Sequence, residues 1–212
     1  MKYVIVLGDG MADEPIEQLG NKTPLEFATT KAMDELSAKG EVGMVHTIPE
    51  GMSPGSDTAN LSVIGYDPKI YYTGRSPLEA LSIGIPMKET DIAIRCNIVT
   101  ISEEDTNFED RTIIDHSASE ISTEDCAVLL DAVKKELETQ IYHFYLGTSY
   151  RHCLIWENGK VVPLIPPHDV LGQKIGAYLP EEKALRAMME KSFAILKDHP
   201  LNLERKKQGL NP

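Results

Sequence analysis

The chain is poor in cysteine and has no paired cysteine motif. Cys96, Cys126 and Cys153 stand far apart, with no Cys-x-x-Cys. That argues against a cysteine zinc site and for reduced thiols packed in a core, as in a reducing, cytoplasmic compartment. A basic surplus is also missing: 33 acidic residues face 21 Lys and Arg, a net charge of −12. With no basic stripe, nucleic acid is not expected as a partner. Phosphorylated ligands stay open, because a local arginine or a cation can bind phosphate inside an acidic protein. No apolar run approaches the ~20 residues that span a bilayer, so no membrane association is expected. The apolar start, Met1 to Leu7, runs into Gly8-Asp9-Gly10 rather than a small-residue cleavage site, and is not read as a signal peptide.

What is present suits a packed core. Hydrophobic residues make up 42% of the 212, enough for one large domain or two small ones. Tyr3 to Leu7 reads as a buried strand of a parallel sheet, ended by Gly8-Asp9-Gly10. Thr23-Pro24-Leu25-Glu26 is a capping box with proline at the first helical position. Ala28, Ala32, Met33 and Leu36 follow at helical spacing up to Gly40. Val42 to Ile48 reads as a second strand, which makes a right-handed crossover. A Pro/Gly/Ser loop then leads to a short helix over Ser56 to Ile64, and a second capped helix ends at Gly84.

Beyond Pro86 the pattern changes. Ile92 to Ile101 reads as a long strand, Ser102 to Glu109 as an acidic loop and Thr112 to Ile114 as a short strand. Ser122 caps a helix with Ala127, Leu130, Val133 and Leu137 on one face. Ile141 to Leu146, Cys153 to Trp156 and Val161 to Leu164 read as strands, and a last helix opens at Pro180. The division expected is a core segment over 1–90, an α+β unit over 91–203 and a return segment over 204–212.

Two places can carry chemistry. Asp9 falls at the carboxyl end of the first expected strand, the edge where open α/β sheets bind ligands. It reads equally as a turn carboxylate. Its glycine flanks do not make a dinucleotide motif, because Asp13 stands where a third glycine belongs. Ser56, in Gly55-Ser56-Asp57-Thr58, opens a helix where the dipole and free amides favour negative charge. It is a nucleophile only with a base or metal to activate it, and otherwise an ordinary cap.

The runs Gly8-Asp9-Gly10-Met11-Ala12-Asp13, Gly55 to Ser62 with Gly65-Tyr66-Asp67-Pro68, and Tyr72-Thr73-Gly74-Arg75 occur in that order. They resemble the archaeal-type cofactor-independent phosphoglycerate mutases of the alkaline phosphatase superfamily, and the bacterial relatives proposed to be homoserine kinases. Tyr150-Arg151-His152, Pro167-His168-Asp169 and Gly209-Leu210-Asn211-Pro212 extend the resemblance along the chain. It implies an α/β fold: part of an alkaline-phosphatase-like parallel sheet core plus a smaller inserted α+β substrate domain. It implies that Ser56 accepts the phosphoryl group and touches a metal that Asp9 also holds. It further implies two divalent ions, manganese, magnesium or zinc. Asn60 would stand beside the transferring phosphoryl group. Arg75 would bind phosphate or form a structural ion pair. Arg151 and His152 would face a small phosphorylated or hydroxylated metabolite, or else form a strand pair at a sheet edge. For His168-Asp169 a turn is favoured over a ligand role.

Two departures qualify the match. The family's remaining Asp and His metal ligands lie in its C-terminal half. The expectation is therefore a fragment with an open sheet edge able to pair with a second copy. Ile114 to Ile121 stands where the mutases carry Asp-Arg-Ser-Ala-Gly-Arg, with His116 and Glu120 in place of both arginines. The leading expectation is mutase-like phosphotransfer through a phosphoserine. A homoserine-kinase-like phosphotransferase and an inactive binding module are the alternatives.

Overall fold

The fold described is a computed structural model covering residues 1–104 and 107–212. It is mixed α/β and divides into two compact units, Met1–Tyr72 and Thr73–Pro212. The division falls after Tyr72, ahead of the one drawn on the sequence at residue 90.

The first unit is helical where it is regular. Thr23 forms the expected capping box with Glu26 and opens α1, Pro24–Phe27. The chain then turns extended at Ala28 and re-enters a helix as α2, Lys31–Lys39. One helix was expected across this stretch. The pair Thr29-Thr30, β-branched and prone to local side-chain bonds, breaks it, with Thr30 Oγ1 donating to Asp34 at 3.0 Å. α3, Ser56–Val63, follows Gly55, and α4, Pro68–Tyr71, is capped by Asp67.

The two strands expected here do not form. Tyr3 to Leu7 and Val42 to Ile48 belong to no sheet, and Val6 is 91% and Met44 100% exposed. An extended run becomes a strand only when a neighbour takes its backbone hydrogen bonds. No such neighbour exists among the described residues, because every strand that pairs lies between Ile92 and Trp156. The parallel sheet and its crossover are therefore absent from the described residues, and the sheets that form are antiparallel.

The second unit opens with α5, Arg75–Ser82. Its sheet holds β1 (Ile92–Asn97), β4 (Tyr142–Thr148) and β5 (Arg151–Trp156) in the order β1-β5-β4. β2 (Thr100–Ile101) and β3 (Ile113–Asp115) form a separate ribbon. The long strand expected over 92–101 is thus two, turned into different sheets at Ile98-Val99. The acidic loop expected over 102–109 falls partly outside the described residues.

Alternation along β5 fills two cores. Leu154 packs with Phe144 on β4 and with Leu130, Val133 and Leu137 of α6, Thr123–Leu137, where Leu185 of α7, Lys183–Leu196, also packs. Cys153 and Ile155 point the other way, to Ala80 of α5 and Ile85. Ser122 caps α6 as expected, its Oγ accepting from the Asp125 amide at 3.0 Å. The last helical stretch ends at Lys197 and restarts as α8, Pro200–Lys207, because Pro200 forces His199 extended. Val161 to Leu164 forms no strand; Pro163 removes an amide from its centre.

Candidate active site

In the first unit one cleft, of about 370 Å³, is lined by Asp9, Ser56 and Asn60 together with Leu7, Thr47 and Gly55. Local chemistry explains the arrangement. Gly10, at φ 72°, turns the chain immediately after Asp9. Ser62 Oγ donates to the Thr47 carbonyl at 2.7 Å and ties α3 to the segment that lines the opposite wall. Gly55 offers no side chain to cap α3. The positive end of the helix dipole is nevertheless presented at this place. The neighbouring carboxylate is spoken for: Asp57 accepts from the Thr58 amide at 3.0 Å and from the Tyr72 hydroxyl at 2.5 Å. Asp9 and Ser56 make no hydrogen bond to other described residues, and both are exposed.

A carboxylate and a hydroxyl in one cleft suit a hard divalent cation such as magnesium or manganese. They are two ligands where such ions take about six. Among the described residues no group of three or more His, Cys, Asp or Glu side chains could hold a metal. The donor set fits part of a metal centre.

The other candidates lie in the second unit. Arg75 is exposed and its Nε pairs with Glu79 at 2.8 Å, the ion-pair alternative of the sequence reading. A cleft of about 200 Å³ is lined by Arg151, His152, Gly147, Glu79 and Arg95. Arg151 is exposed and carries no ion pair among the described residues, while its guanidinium lies 5.5 Å from the Tyr150 ring. His152 is 4% exposed. Strand alternation sets the two side chains on opposite faces of β5, His152 on the face of Leu154 and Arg151 on that of Cys153. They line one cleft but do not act as a side-by-side pair.

His152 is held neutral. Burial pushes its pKa down to about 4. Its Nδ1 accepts from the Gly147 amide at 3.2 Å, which puts the proton of the neutral ring on Nε2. That N–H is buried and finds no partner among the described residues. Gly147 sits where β4 and β5 slip register. A Cβ there would lie 2.1 Å from the Arg151 carbonyl oxygen, so only glycine brings its amide so close.

The sequence reading missed Gly147, the Glu79–Arg95 pair at 3.5 Å, and a ring cluster of His116, Tyr150 and His168. The glycine preceding Thr-Ser-Tyr was a visible turn signal. The pairs across elements had none, since they depend on tertiary placement. The cysteines are thiols: burial raises Cys96 and Cys126 to about 12 and Cys153 to about 11.

Fold and site thus define a mixed α/β chain with a carboxylate and a hydroxyl in one cleft of its first unit. A family profile described as 2,3-bisphosphoglycerate-independent phosphoglycerate mutase matches residues 37–202. The chain belongs to that family. It is 45% identical, over its whole length, to the 2,3-bisphosphoglycerate-independent phosphoglycerate mutase of Methanosarcina acetivorans. It is 43% identical to a probable one of Geobacter sulfurreducens. It spans about half, 53%, of the length of either relative. The solved cofactor-independent phosphoglycerate mutase of Thermoplasma acidophilum is similar over 96% of this chain and 55% of its own, at 30% identity and TM-score 0.50. A protein from Pyrococcus horikoshii is similar over 95% of this chain and 46% of its own, at 28% identity and TM-score 0.67.

Proposed function

We propose that the chain supplies the nucleophile half of a metal-dependent phosphotransfer site that interconverts 2- and 3-phosphoglycerate through a phosphoserine at Ser56. The observation that carries the reading is the cleft shared by the Asp9 carboxylate and the Ser56 hydroxyl at the N-terminus of α3.

In this reading Ser56 Oγ bonds to the phosphorus of the substrate phosphoryl group as the bond to the substrate oxygen breaks. The Ser56 hydroxyl gives up its proton as that bond forms, and the substrate oxygen so released takes one up to become a hydroxyl. The phosphoryl group then returns to the neighbouring hydroxyl and Ser56 is regenerated. The positive end of the α3 dipole stabilises charge on the phosphoryl oxygens, and the Asn60 side-chain amide donates to them. Asp9 and Ser56 would hold a divalent ion, manganese, magnesium or zinc, which lowers the pKa of a bound hydroxyl. Arg75 and Arg151 would offer guanidinium donors to the acid groups of a small phosphorylated metabolite, and His152 would border the same substrate. Because relatives are about twice as long, the remaining ligands of a two-ion site would come from outside these residues. The free thiols support a cytoplasmic setting. Among the described residues no helix is long and apolar enough to cross a membrane.

The test is phosphoryl capture. In a protein that carries this segment together with the remaining metal ligands, incubation with manganese and 3-phosphoglycerate should leave one phosphoryl group on Ser56 by peptide mass spectrometry, and none in Ser56→Ala. Phosphate on another residue, or capture that persists in the variant, would sink the assignment.

His116 and Glu120, where acid-binding arginines were expected, favour a second reading as a homoserine-kinase-like phosphotransferase. Dependence of phosphoryl transfer on added nucleotide would select it. A third reading, an inactive binding module that cannot hold two metals, is defeated by tight binding of two divalent ions per chain.

A further inference from the structure

In the Thr73–Pro212 unit, the segment 209–212 is fastened to a strained loop that lies 92 positions earlier in the sequence. Ala118, Ser119 and Glu120 are three consecutive non-glycine residues in the left-handed region, at φ 47°, 58° and 50°. A Cβ crowds the following carbonyl oxygen there, so such a run persists only where the surroundings over-determine it. Ala118 is held by burial, packed with Ile121, Cys126 and Leu129. Ser119 and Glu120 are exposed, so burial does not hold them. Their hold is polar. Asp115 accepts from the Ser117 amide and hydroxyl at 2.8 and 2.9 Å and from the Ser119 amide at 2.6 Å. The Glu120 amide donates to Ser117 Oγ at 3.2 Å.

The rest of the hold comes from the segment 209–212. Gly209, at φ 74°, ends α8, and the Leu210 amide donates back to the Arg205 carbonyl at 3.0 Å, which turns the chain towards the loop. Asn211 then clasps the loop twice. Its Nδ2 donates to Asp115 Oδ2 at 2.9 Å and its amide to Ser119 Oγ at 3.1 Å. Thr100, opposite Asp115 in the β2–β3 ribbon, donates to the Pro212 carbonyl at 2.6 Å. Arg205, 5% exposed and paired with Asp125 at 3.0 Å, donates through one nitrogen, Nη2, to the Ala118 carbonyl at 2.6 Å and the Asn211 carbonyl at 3.1 Å. Segment and loop thus share an acceptor, Asp115 Oδ2, and a donor, Arg205 Nη2.

We propose that residues 209–212 are a conformational clip. Seated, the clip holds Ser119 and Glu120 in the left-handed region. Drawn off, it lets them relax to the backbone that side chains favour, while buried Ala118 keeps the loop anchored. The loop therefore has two discrete arrangements, and the clip selects between them. Any contact that pulls 209–212 away reshapes the loop. Any contact that reshapes the loop loosens 209–212, because such coupling is reciprocal. The clip does not depend on the reading of Ser56.

The experiment follows amide exchange and Cα chemical shifts in the isotope-labelled 212-residue chain. Asn211→Ala removes the side-chain clasp and leaves every loop residue in place. It should speed exchange at Ser119 about tenfold, the factor for one charge-assisted hydrogen bond. The Cα shifts of Ser119 and Glu120 should leave their left-handed values. Leu154 in β5 should exchange as in the parent, as proof of folding. Thr100→Val removes a hydroxyl at nearly constant shape and frees only the Pro212 carbonyl. It should move the same signals in the same direction, and it decides the case if Asn211→Ala does not fold. The proposal fails if Ser119 and Glu120 keep left-handed shifts in both variants, since 209–212 is then a passive contact. It fails equally if Leu154 loses protection together with Ser119 in both, since 209–212 then supports the whole unit rather than the loop.

Discussion

At the scale of single residues His152 makes a sharp prediction. Its folded pKa of about 4 lies below the ordinary value of 6.5. Between those values the unfolded chain binds the proton and the folded chain does not. Stability therefore rises with pH through this window and is lost as pH falls from 6.5 towards 4. The separation corresponds to roughly 3 kcal/mol at about 1.4 kcal/mol per unit. Chemical denaturation at a series of pH values should show this loss, and His152→Phe should flatten it. Asp115 acts in a lower window. Burial pushes it up, but bonds from Asn211, Ser117 and Ser119 outweigh that and hold it at about 2. Its contribution is present above pH ~4 and disappears as pH falls towards 2. Ser56, by contrast, is exposed and bonded to nothing described, so Ser56→Ala should move the unfolding free energy by no more than about 0.5 kcal/mol.

At the scale of elements, the sequence was legible wherever a local signal sufficed. The Thr23 capping box, the Ser122 cap of α6, the α3 start at Ser56 and the apolar face of α6 all stand where spacing put them. Failure came where a strand needs a partner. Tyr3 to Leu7 has strand chemistry, yet an extended run cannot stand without a neighbour's carbonyls and amides. The paired strands lie elsewhere. Hydrogen exchange should report the difference: amides of residues 1–9 and 42–46 exchange at near-intrinsic rates, while those of β5 and α6 are protected by orders of magnitude. Protection at Val4 to Val6 equal to that of Leu154 would contradict it. The register slip at Gly147 makes a second element-level prediction. Gly147→Ala brings a methyl group against the Arg151 carbonyl, 2.1 Å away before relaxation. It should cost about 2 kcal/mol or more by thermal or denaturant unfolding.

At the scale of the molecule, the candidate site was legible as pieces. Asp9 and Ser56 were named from a strand-end acid and a helix-start serine, and one cleft holds both. The ring cluster was not legible, because His116, Tyr150 and His168 come from three separated stretches that only the fold of the second unit gathers. A chain spanning about half of its relatives' length, with two oxygen donors in the cleft, should bind metal poorly. Calorimetry with manganese should find at most one weak site per chain, lost in Asp9→Asn. Two tight sites would show that the cleft has been misread.

Everything in the proposed chemistry requires Asp9 and Ser56 to share one cation. Manganese is paramagnetic, so a substoichiometric addition marks the amides near it. Amide signals of residues 9 and 56 should broaden together, ahead of all others in the chain, and Asp9→Asn should restore both. Broadening of one without the other, or of neither while distant residues fade, would contradict the shared site.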